Sequence, residues 1–389
     1  GGRPMTFTWF HDDVIVPDST ASALVLKPVT MTDAGYYRLV ASNSFGVVTS
    51  SVARLQVANT SITDALVLHL TFDGQLDDSS GRSNHAAYAF NGLNAKKMPT
   101  FAAGQIGQAF QYTTLADGSR IEYATLGYPP DLQLGANTDF TVSMWVNYTN
   151  QMGDPPFISN KDWNRSHFQG WAITTQNGGT FRVNATGPNE GADFFTTATT
   201  PVIRNGRWHH LLVSFQRAAS GQSAYVYTYV DGKLTDRTPA AISGTIDTLE
   251  LPFNSGGSIP TSQHTWAVNI GQDGTGAFLY NGSASAVGVK IDDLGIWRRA
   301  LTSKEAEAIY AAGLAGQDLT HATVPLLLFA SLSKETVGLS WAGRAGVWLE
   351  TNASLAPDQW VRVADSEGSS GMTLPLNGQA AYFRLAQRP

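Results

Sequence analysis

The sequence predicts an all-β chain folded as antiparallel sandwiches, and three observations carry that reading. Runs of roughly four to eight residues alternate apolar and polar side chains along most of the chain. Glycine-containing turns recur between them, and only one segment has the spacing and caps of a helix. The 389 residues include 38 glycines, 11% aromatic and only 14% charged residues, a profile of strands and turns rather than of helices or disorder. One core of ordinary size does not serve a chain this long, so two or three domains are expected.

A formal charge of −6 is spread without long runs of one sign. This excludes the basic stripe that nucleic acid or an anionic membrane requires. The absence of cysteine removes disulfides, thiolate metal sites and cysteine nucleophiles together, so any metal must be held by oxygen or histidine. Cores of this size dispense with disulfides, and the composition reads as that of an exported bacterial protein. No apolar run approaches the ~18 residues of a membrane-spanning helix, and no charged-then-apolar signal segment opens the chain. The start reads as the interior of a domain. An extracellular or cell-surface location and a monomeric state are the expectations.

In chain order, the first strands are Thr6-Phe-Thr-Trp-Phe10, Ala23-Leu-Val-Leu-Lys27, Tyr36-Tyr-Arg-Leu-Val-Ala41 and the run from Val47 to Val57. The marks Trp9, Asp33-Ala-Gly-Tyr-Tyr37 and Ala41-Ser-Asn-Ser-Phe-Gly46 resemble the back half of an immunoglobulin-like domain, here residues 1–58. The resemblance implies a tyrosine corner at Tyr37. It also implies an apolar pair in place of the usual disulfide, because Leu39 stands where the family has cysteine. Two strands of that fold have no room before Trp9, so the domain is read as partial.

A second domain, residues 64–319, opens with Leu66-Val-Leu-His-Leu-Thr-Phe72 and a turn-rich segment from Asp73 to Asn84. Strands follow at Phe140–Val146, Gly170–Thr174, Trp208–Phe215, Ala224–Val230, Trp266–Ile270 and Val289–Trp297. The helix comes next, with Thr302 as N-cap, Glu305 completing a capping box, Ile309 and Tyr310 facing inward and Gly313 as its stop. Four segments in order resemble laminin G-like, concanavalin A-like jelly rolls. They are Phe72-Asp-Gly to Asp78-Ser-Ser-Gly-Arg-Ser-Asn84, the Phe140 to Trp145 strand, Trp208-His-His leading to Tyr229-Val-Asp-Gly232, and Ile291-Asp-Asp-Leu-Gly-Ile-Trp-Arg-Arg-Ala-Leu301. The resemblance implies an antiparallel jelly-roll sandwich.

Residues 322–389 read as a small C-terminal β module, with strands at Val337–Trp341, Val347–Glu350, Trp360–Val363 and Ala381–Leu385. It is similar to small terminal modules on large exported proteins of Verrucomicrobia-like bacteria, and a packing or anchoring role is inferred.

Two constellations carry chemistry. Asp73, Asp78 (or Asp77), Asn84 and Asp292 (or Asp293) offer the oxygen ligands that calcium takes. The resemblance implies that they meet, because the first and last strands of these jelly rolls pair side by side. A structural Ca2+ is therefore expected there, against the plainer reading of turn and strand-end carboxylates bonded to main-chain amides. The second constellation is Asn160, Asp162, Trp163, Trp171, Arg182 and Asn184, with Asp193 nearby. Amides, charges and indole rings are what a sugar's hydroxyl groups and apolar face require. The alternative for Trp171 is a place in the core.

His209 and His210 lie in an alternating strand that sends one inward and one outward, and they are read as framework. Gly271-Gln-Asp-Gly-Thr-Gly276 is a turn, since no helix follows that would hold a phosphate. No pair of carboxylates two apart on one strand and no Gly-x-Ser-x-Gly elbow marks a hydrolase. A non-sequential pair, Asp162 with Glu190 or Asp193, is the alternative that a glycoside hydrolase or polysaccharide lyase would use. The reading is a non-catalytic segment that binds a polysaccharide or the glycan of a glycoprotein, with the glycan-active enzyme and a structural spacer as alternatives.

Overall fold

The computed structural model describes residues 5–17, 19–22, 24, 35–50, 53–55, 61–164, 169–188, 194–198, 201–217, 224–240, 242, 244–248, 266–279, 282–324, 328–332, 336–341, 347–352, 359–369, 371–375 and 382–387. The chain divides into two compact units, Gly1–Ser61 with Val324–Pro389 and Ile62–Thr323.

In the first unit, β1 (Thr6–His11), β2 (Val14–Ile15), β3 (Gly35–Asn43), β4 (Gly46–Thr49) and β5 (Ala53–Leu55) form one antiparallel sheet. Its order is β2-β1-β3-β4, with β5 also paired to β3. Trp9 stands opposite Leu39, and buried Tyr37 stacks on His11 with ring centroids 4.6 Å apart. The strand expected over residues 23–27 lies outside the described residues except for Leu24.

The second unit is built from β6 (Leu66–Leu70), β7 (Ala87–Asn91), β8 (Thr100–Ala103), β9 (Gln108–Thr114), β10 (Ile121–Gly127), β11 (Phe140–Asn147), β12 (Asn150–Met152) and β13 (Pro156–Ser159). It continues with β14 (Gly170–Thr175), β15 (Phe181–Thr186), β16 (Phe194–Ala198), β17 (His209–Gln216), β18 (Ala224–Val230), β19 (Lys233–Ala240), β20 (Val268–Ile270) and β21 (Ser285–Trp297). The described strands join in the order β16-β15-β14-β13-β20-β10-β9-β21-β11-β17-β18-β19. β6 and β12 pair with β21, β7 with β10 and β8 with β9.

This continuous ladder curls into a sandwich. Phe140 of β11 meets Trp171 of β14 at 5.7 Å between centroids although their strands are far apart in the order. Phe140, Val142, Met144 and Val146 of β11, Leu211, Val213 and Phe215 of β17, and Phe181, Val183 and Ala185 of β15 all enter one core, the every-second-residue signature of half-buried strands. Phe140 and Phe215, cross-strand partners, stack at 4.1 Å.

β21 is the spine. One of its edges carries β12 and then β11, while the other carries β9 against Ala286–Ile291 and then β6 against Leu294–Trp297. The hand-over occurs at Asp292-Asp293, where the β11 register shifts and Asp293 adopts φ 45. That is a β-bulge, and aspartate tolerates the left-handed conformation better than the β-branched residues around it.

The single α-helix among the described residues, α1 (Ser303–Leu314), lies on the face of β11 turned away from the core. Tyr310 stacks on Trp145 at 5.5 Å. Thr302 and Glu305 form the expected capping box. The expected stop at Gly313 is corrected: Gly313 lies inside the helix, and the αL residue is Gly316 (φ 73). There Gly316 N–H bonds the Gly313 carbonyl at 3.1 Å and Gln317 N–H the Ala312 carbonyl at 3.0 Å, a Schellman pair. Gly313 is glycine for a different reason, because a Cβ there would lie 2.5 Å from Trp145 Cζ2.

In the rest of the first unit, β22 (Leu328–Leu332), β23 (Thr336–Trp341), β24 (Val347–Asn352), β25 (Val361–Arg362), β26 (Gly371–Pro375) and β27 (Tyr382–Gln387) make two three-stranded sheets, β22-β23-β26 and β25-β24-β27. Leu339, Trp341, Val347 and Leu349 form their buried core.

Gly313→Ala sets helix propensity against sterics. Alanine gains about 1 kcal/mol in an open helix interior, whereas overpacking a filled site costs about 1–3 kcal/mol. We expect a net loss of about 1 kcal/mol in urea unfolding, and a stabilised variant would show that the indole yields freely.

Candidate functional site

Arg182, Asn184 and Thr186 alternate along β15 with the core residues Phe181, Val183 and Ala185, so they stand on the opposite face of the sheet. Ala172 of β14 is the register partner of Asn184. This face is covered: Ala172 packs with Trp163, Phe278 and Ala284 in a second small apolar cluster. Lys161, Asn184 and Thr186 are fully buried. A buried ammonium needs hydrogen-bond acceptors. Lys161 Nζ donates to Asn184 Oδ1 at 2.6 Å and to Thr186 Oγ1 at 2.9 Å, and lies 5.9 Å from the Trp163 ring.

The loop 160–164, between β13 and β14, is pinned at nearly every residue. Asn160 Oδ1 accepts the Trp171 amide at 2.6 Å, and Asn160 Nδ2 donates to the Ile246 carbonyl at 3.2 Å. The Lys161 carbonyl accepts the Gly274 amide at 2.8 Å. Trp163 donates its amide to Asp273 Oδ2 at 3.0 Å and its indole N–H to the Asp154 carbonyl at 3.0 Å. Asp273 is buried, and desolvation pushes its carboxyl up to about 6. Burial also raises the carboxyl of Asp154, with the Arg182 charge acting against the rise. What remains near the surface is Asp162, half-buried and accepting the Asn164 amide at 3.1 Å, with exposed Asn164 and half-buried Arg182.

The structure therefore gathers Asn160, Trp163 and Asn184 around Lys161 as interior supports. Trp171, 0% exposed and packed on Phe140, belongs to the main core and offers no platform to a sugar. Lys161 and Asp273 were missed by sequence reasoning, since a lysine or aspartate in a polar loop carries no local sign of burial. Glu190 and Asp193 lie outside the described residues.

The cation candidates separate into two places. Asp78 is saturated: Oδ1 accepts from the amides of His69 and Ser80, and Oδ2 accepts from the Ser80 hydroxyl and the Asn84 amide. Burial works to raise its carboxyl, yet these bonds hold it below the usual carboxylate range. Asn84 Nδ2 donates to the Val67 carbonyl at 2.7 Å and to Asp131 Oδ2 at 3.0 Å. Asp73 and Asp292 instead clamp the turn between β8 and β9. Asp73 Oδ1 accepts the Gln108 amide at 2.6 Å, and Asp292 Oδ2 the Ile106 amide at 2.9 Å. The buried Asp292 Oδ1 has no hydrogen-bond partner among the described residues, and burial pushes this carboxyl up to about 8. Among the described residues no three histidine or acidic side chains converge as a metal site. The oxygens of Asp78 are thus taken up by its own turn, whereas Asp292 keeps one oxygen without a partner among the described residues.

The two histidines part as expected. His209 is half-buried with Nδ1 2.9 Å from Asp231 Oδ2. His210 is 0% exposed under α1, with Nε2 2.8 Å from Ser143 Oγ. Gly271–Gly276 is a turn closed by the Gly276 amide on the Asp273 carbonyl at 3.0 Å.

Residues 119–307 match the family model described as the Concanavalin A-like lectin/glucanases superfamily, and the second unit is a concanavalin A-like antiparallel jelly roll. No curated protein matches the sequence. Among solved structures the chain is similar to the binding domain of Paraclostridial Mosquitocidal Protein 1, at 12% identity and a TM-score of 0.46 over 82% of this chain and 72% of that one. It is also similar to the binding domain of Botulinum neurotoxin DC, solved in complex with rat synaptotagmin II (14%, 0.42, 78% and 70%). A third is the CBM40 of the Ruminococcus gnavus IT-sialidase bound to alpha2,3 sialyllactose (13%, 0.32, 45% and 83%). At these levels the likenesses carry no functional conclusion. No helix among the described residues is long and apolar enough to cross a membrane.

Desolvation lowers His210 from 6.5 to about 4. Between those values the unfolded chain binds a proton that the folded one refuses, so stability falls as pH drops from 6.5 to 4. The ceiling for this one group is on the order of 3 kcal/mol. His210→Gln should flatten that part of the acid limb in denaturation curves taken across the window, and an unchanged slope would refute the assignment.

Proposed function

We propose that this jelly roll is a glycan-binding module of an exported protein, and that the loop 160–164 presents the ligand-contacting groups and binds without catalysis. One observation carries the reading. Buried side chains and main-chain bonds fix the loop at Asn160, Lys161 and Trp163, yet Asp162 and Asn164 are left near the surface. Pre-organised carboxylate and amide groups suit the vicinal hydroxyls of a sugar, because the ordering cost is met on folding rather than on binding. Arg182, half-buried on the same face of β15 as Asn184, supports a further polar contact.

Retention on immobilised polysaccharides and glycoprotein glycans tests this directly. Asp162→Ala with Asn164→Ala should abolish retention while leaving the thermal midpoint within a few degrees, because both side chains lie outside the core. Retention that survives the double variant would move the site elsewhere.

Calcium forms the second part of the proposal, and Asp292 with Asp73 supports it better than Asp78 and Asn84 do. A cation there would satisfy the orphaned Asp292 Oδ1 and relieve the desolvated charge. Calcium added after chelation is expected to raise the unfolding midpoint of the wild type and not of Asp292→Asn. An equal response in both would remove Asp292 from the site.

A further inference from the structure

His69 is the one polar residue in the strand Leu66-Val-Leu-His-Leu70, and both it and Asp293 are buried. His69 Nε2 lies 2.7 Å from Asp293 Oδ1, while Asp293 Oδ2 accepts the Leu319 amide at 3.0 Å. A carboxylate that accepts at both oxygens requires the imidazole proton on Nε2, which leaves Nδ1 as the bare, basic nitrogen. Ser79 Oγ lies 2.7 Å from Nδ1, and Ser79 is exposed. The same oxygen is 3.1 Å from the His69 carbonyl, which also accepts the Ser79 amide at 2.8 Å. Because a bare Nδ1 has no proton to give, the shorter 2.7 Å contact is one in which the Ser79 hydroxyl donates to Nδ1.

We infer that Ser79, His69 and Asp293 form an acyl-accepting serine site, separate from the loop 160–164, that takes unhindered carboxylic esters. Its parts have the required order: a hydroxyl on an exposed residue, a base within hydrogen-bond reach, and a buried carboxylate that fixes the base's tautomer. A structural bridge between β6 and β21 needs only the His69–Asp293 bond and no exposed hydroxyl on the far nitrogen. In the reaction Ser79 Oγ bonds to the ester carbonyl carbon as its proton passes to His69 Nδ1. The ester C–O bond then breaks, and His69 returns the proton to the departing alkoxide. Water repeats the sequence on the acyl-serine, releasing the carboxylic acid and restoring Ser79.

The full chain, Ser79→Ala and Asp293→Asn are incubated with p-nitrophenyl acetate and, separately, with a fluorophosphonate probe. The expected result is probe attached to the Ser79 peptide by mass spectrometry and ester turnover lowered about a hundredfold in Ser79→Ala. Asp293→Asn, in a positioning role, should lower kcat and leave KM unchanged. Ser79→Ala alters an exposed side chain, so it keeps the test valid where Asp293→Asn fails to fold. An unlabelled Ser79, or equal turnover in wild type and Ser79→Ala, overturns the inference whatever the glycan assays give.

Discussion

The bulge at Asp292-Asp293 in the middle of β21 is the constraint on which the second unit depends. A thirteen-residue strand that served four neighbours without interruption would keep one twist and one set of faces. The extra residue lets β21 release β9 and take up β6 on the same edge, and it sends two successive carboxyls to different places. Asp292 reaches the turn ahead of β9, and Asp293 reaches His69 of β6 and the amide of Leu319. The first strand, the last strand and the segment after the helix are thus tied through one distorted dipeptide. Burying two adjacent acids is costly, and burial raises both carboxyls. Such groups persist where the hydrogen bonds they accept specify a register that apolar packing would leave free to slip.

The same logic recurs across the sandwich at Lys161. A cation with no exposure is held by an asparagine and a threonine from one strand, and the main chain on either side is held by Asn160 and Asp273. Polar atoms that would be expected to face a ligand are spent on the loop's own geometry. The consequence is rigidity at 160–164, which is what a recognition loop needs if few contacts are to suffice.

Much of this architecture was legible because it is local. Alternation placed β6, β11, β17, β18 and β21, and Thr302 with Glu305 marked the start of α1, since caps and strand faces are set within a few residues. Gly313 was misread as a stop because its identity is dictated by Trp145, distant in sequence and adjacent only after packing. Trp171 illustrates the limit in a strand: alternation says that it opposes its neighbours, but only the fold says which side is the core. Among the site residues, the acids offered as one calcium shell fall into two hydrogen-bonding groups: Asp78 accepts from its own turn, and Asp73 and Asp292 from the turn ahead of β9. Ser79 and Asp293 are 10 and 224 residues from His69, and no linear motif spans that distance. The one available sign was a histidine in an otherwise apolar strand.

The burial of Trp163 and Trp171 also bears on how strongly a loop of this kind binds. Stacking on an exposed indole supplies much of the affinity in many sugar sites, whereas hydrogen bonds exchanged with water contribute only about 0.5–1.5 kcal/mol each. Three or four such contacts sum to roughly the 4 kcal/mol of a millimolar complex. A module with that affinity is useful only when several act together or when the ligand is a repeating polymer. Linking sites through one chain then multiplies retention by about 10²–10⁴ without any new contact. A loop held rigid by buried polar groups suits that regime, because weak contacts repeated many times tolerate little ordering cost at each.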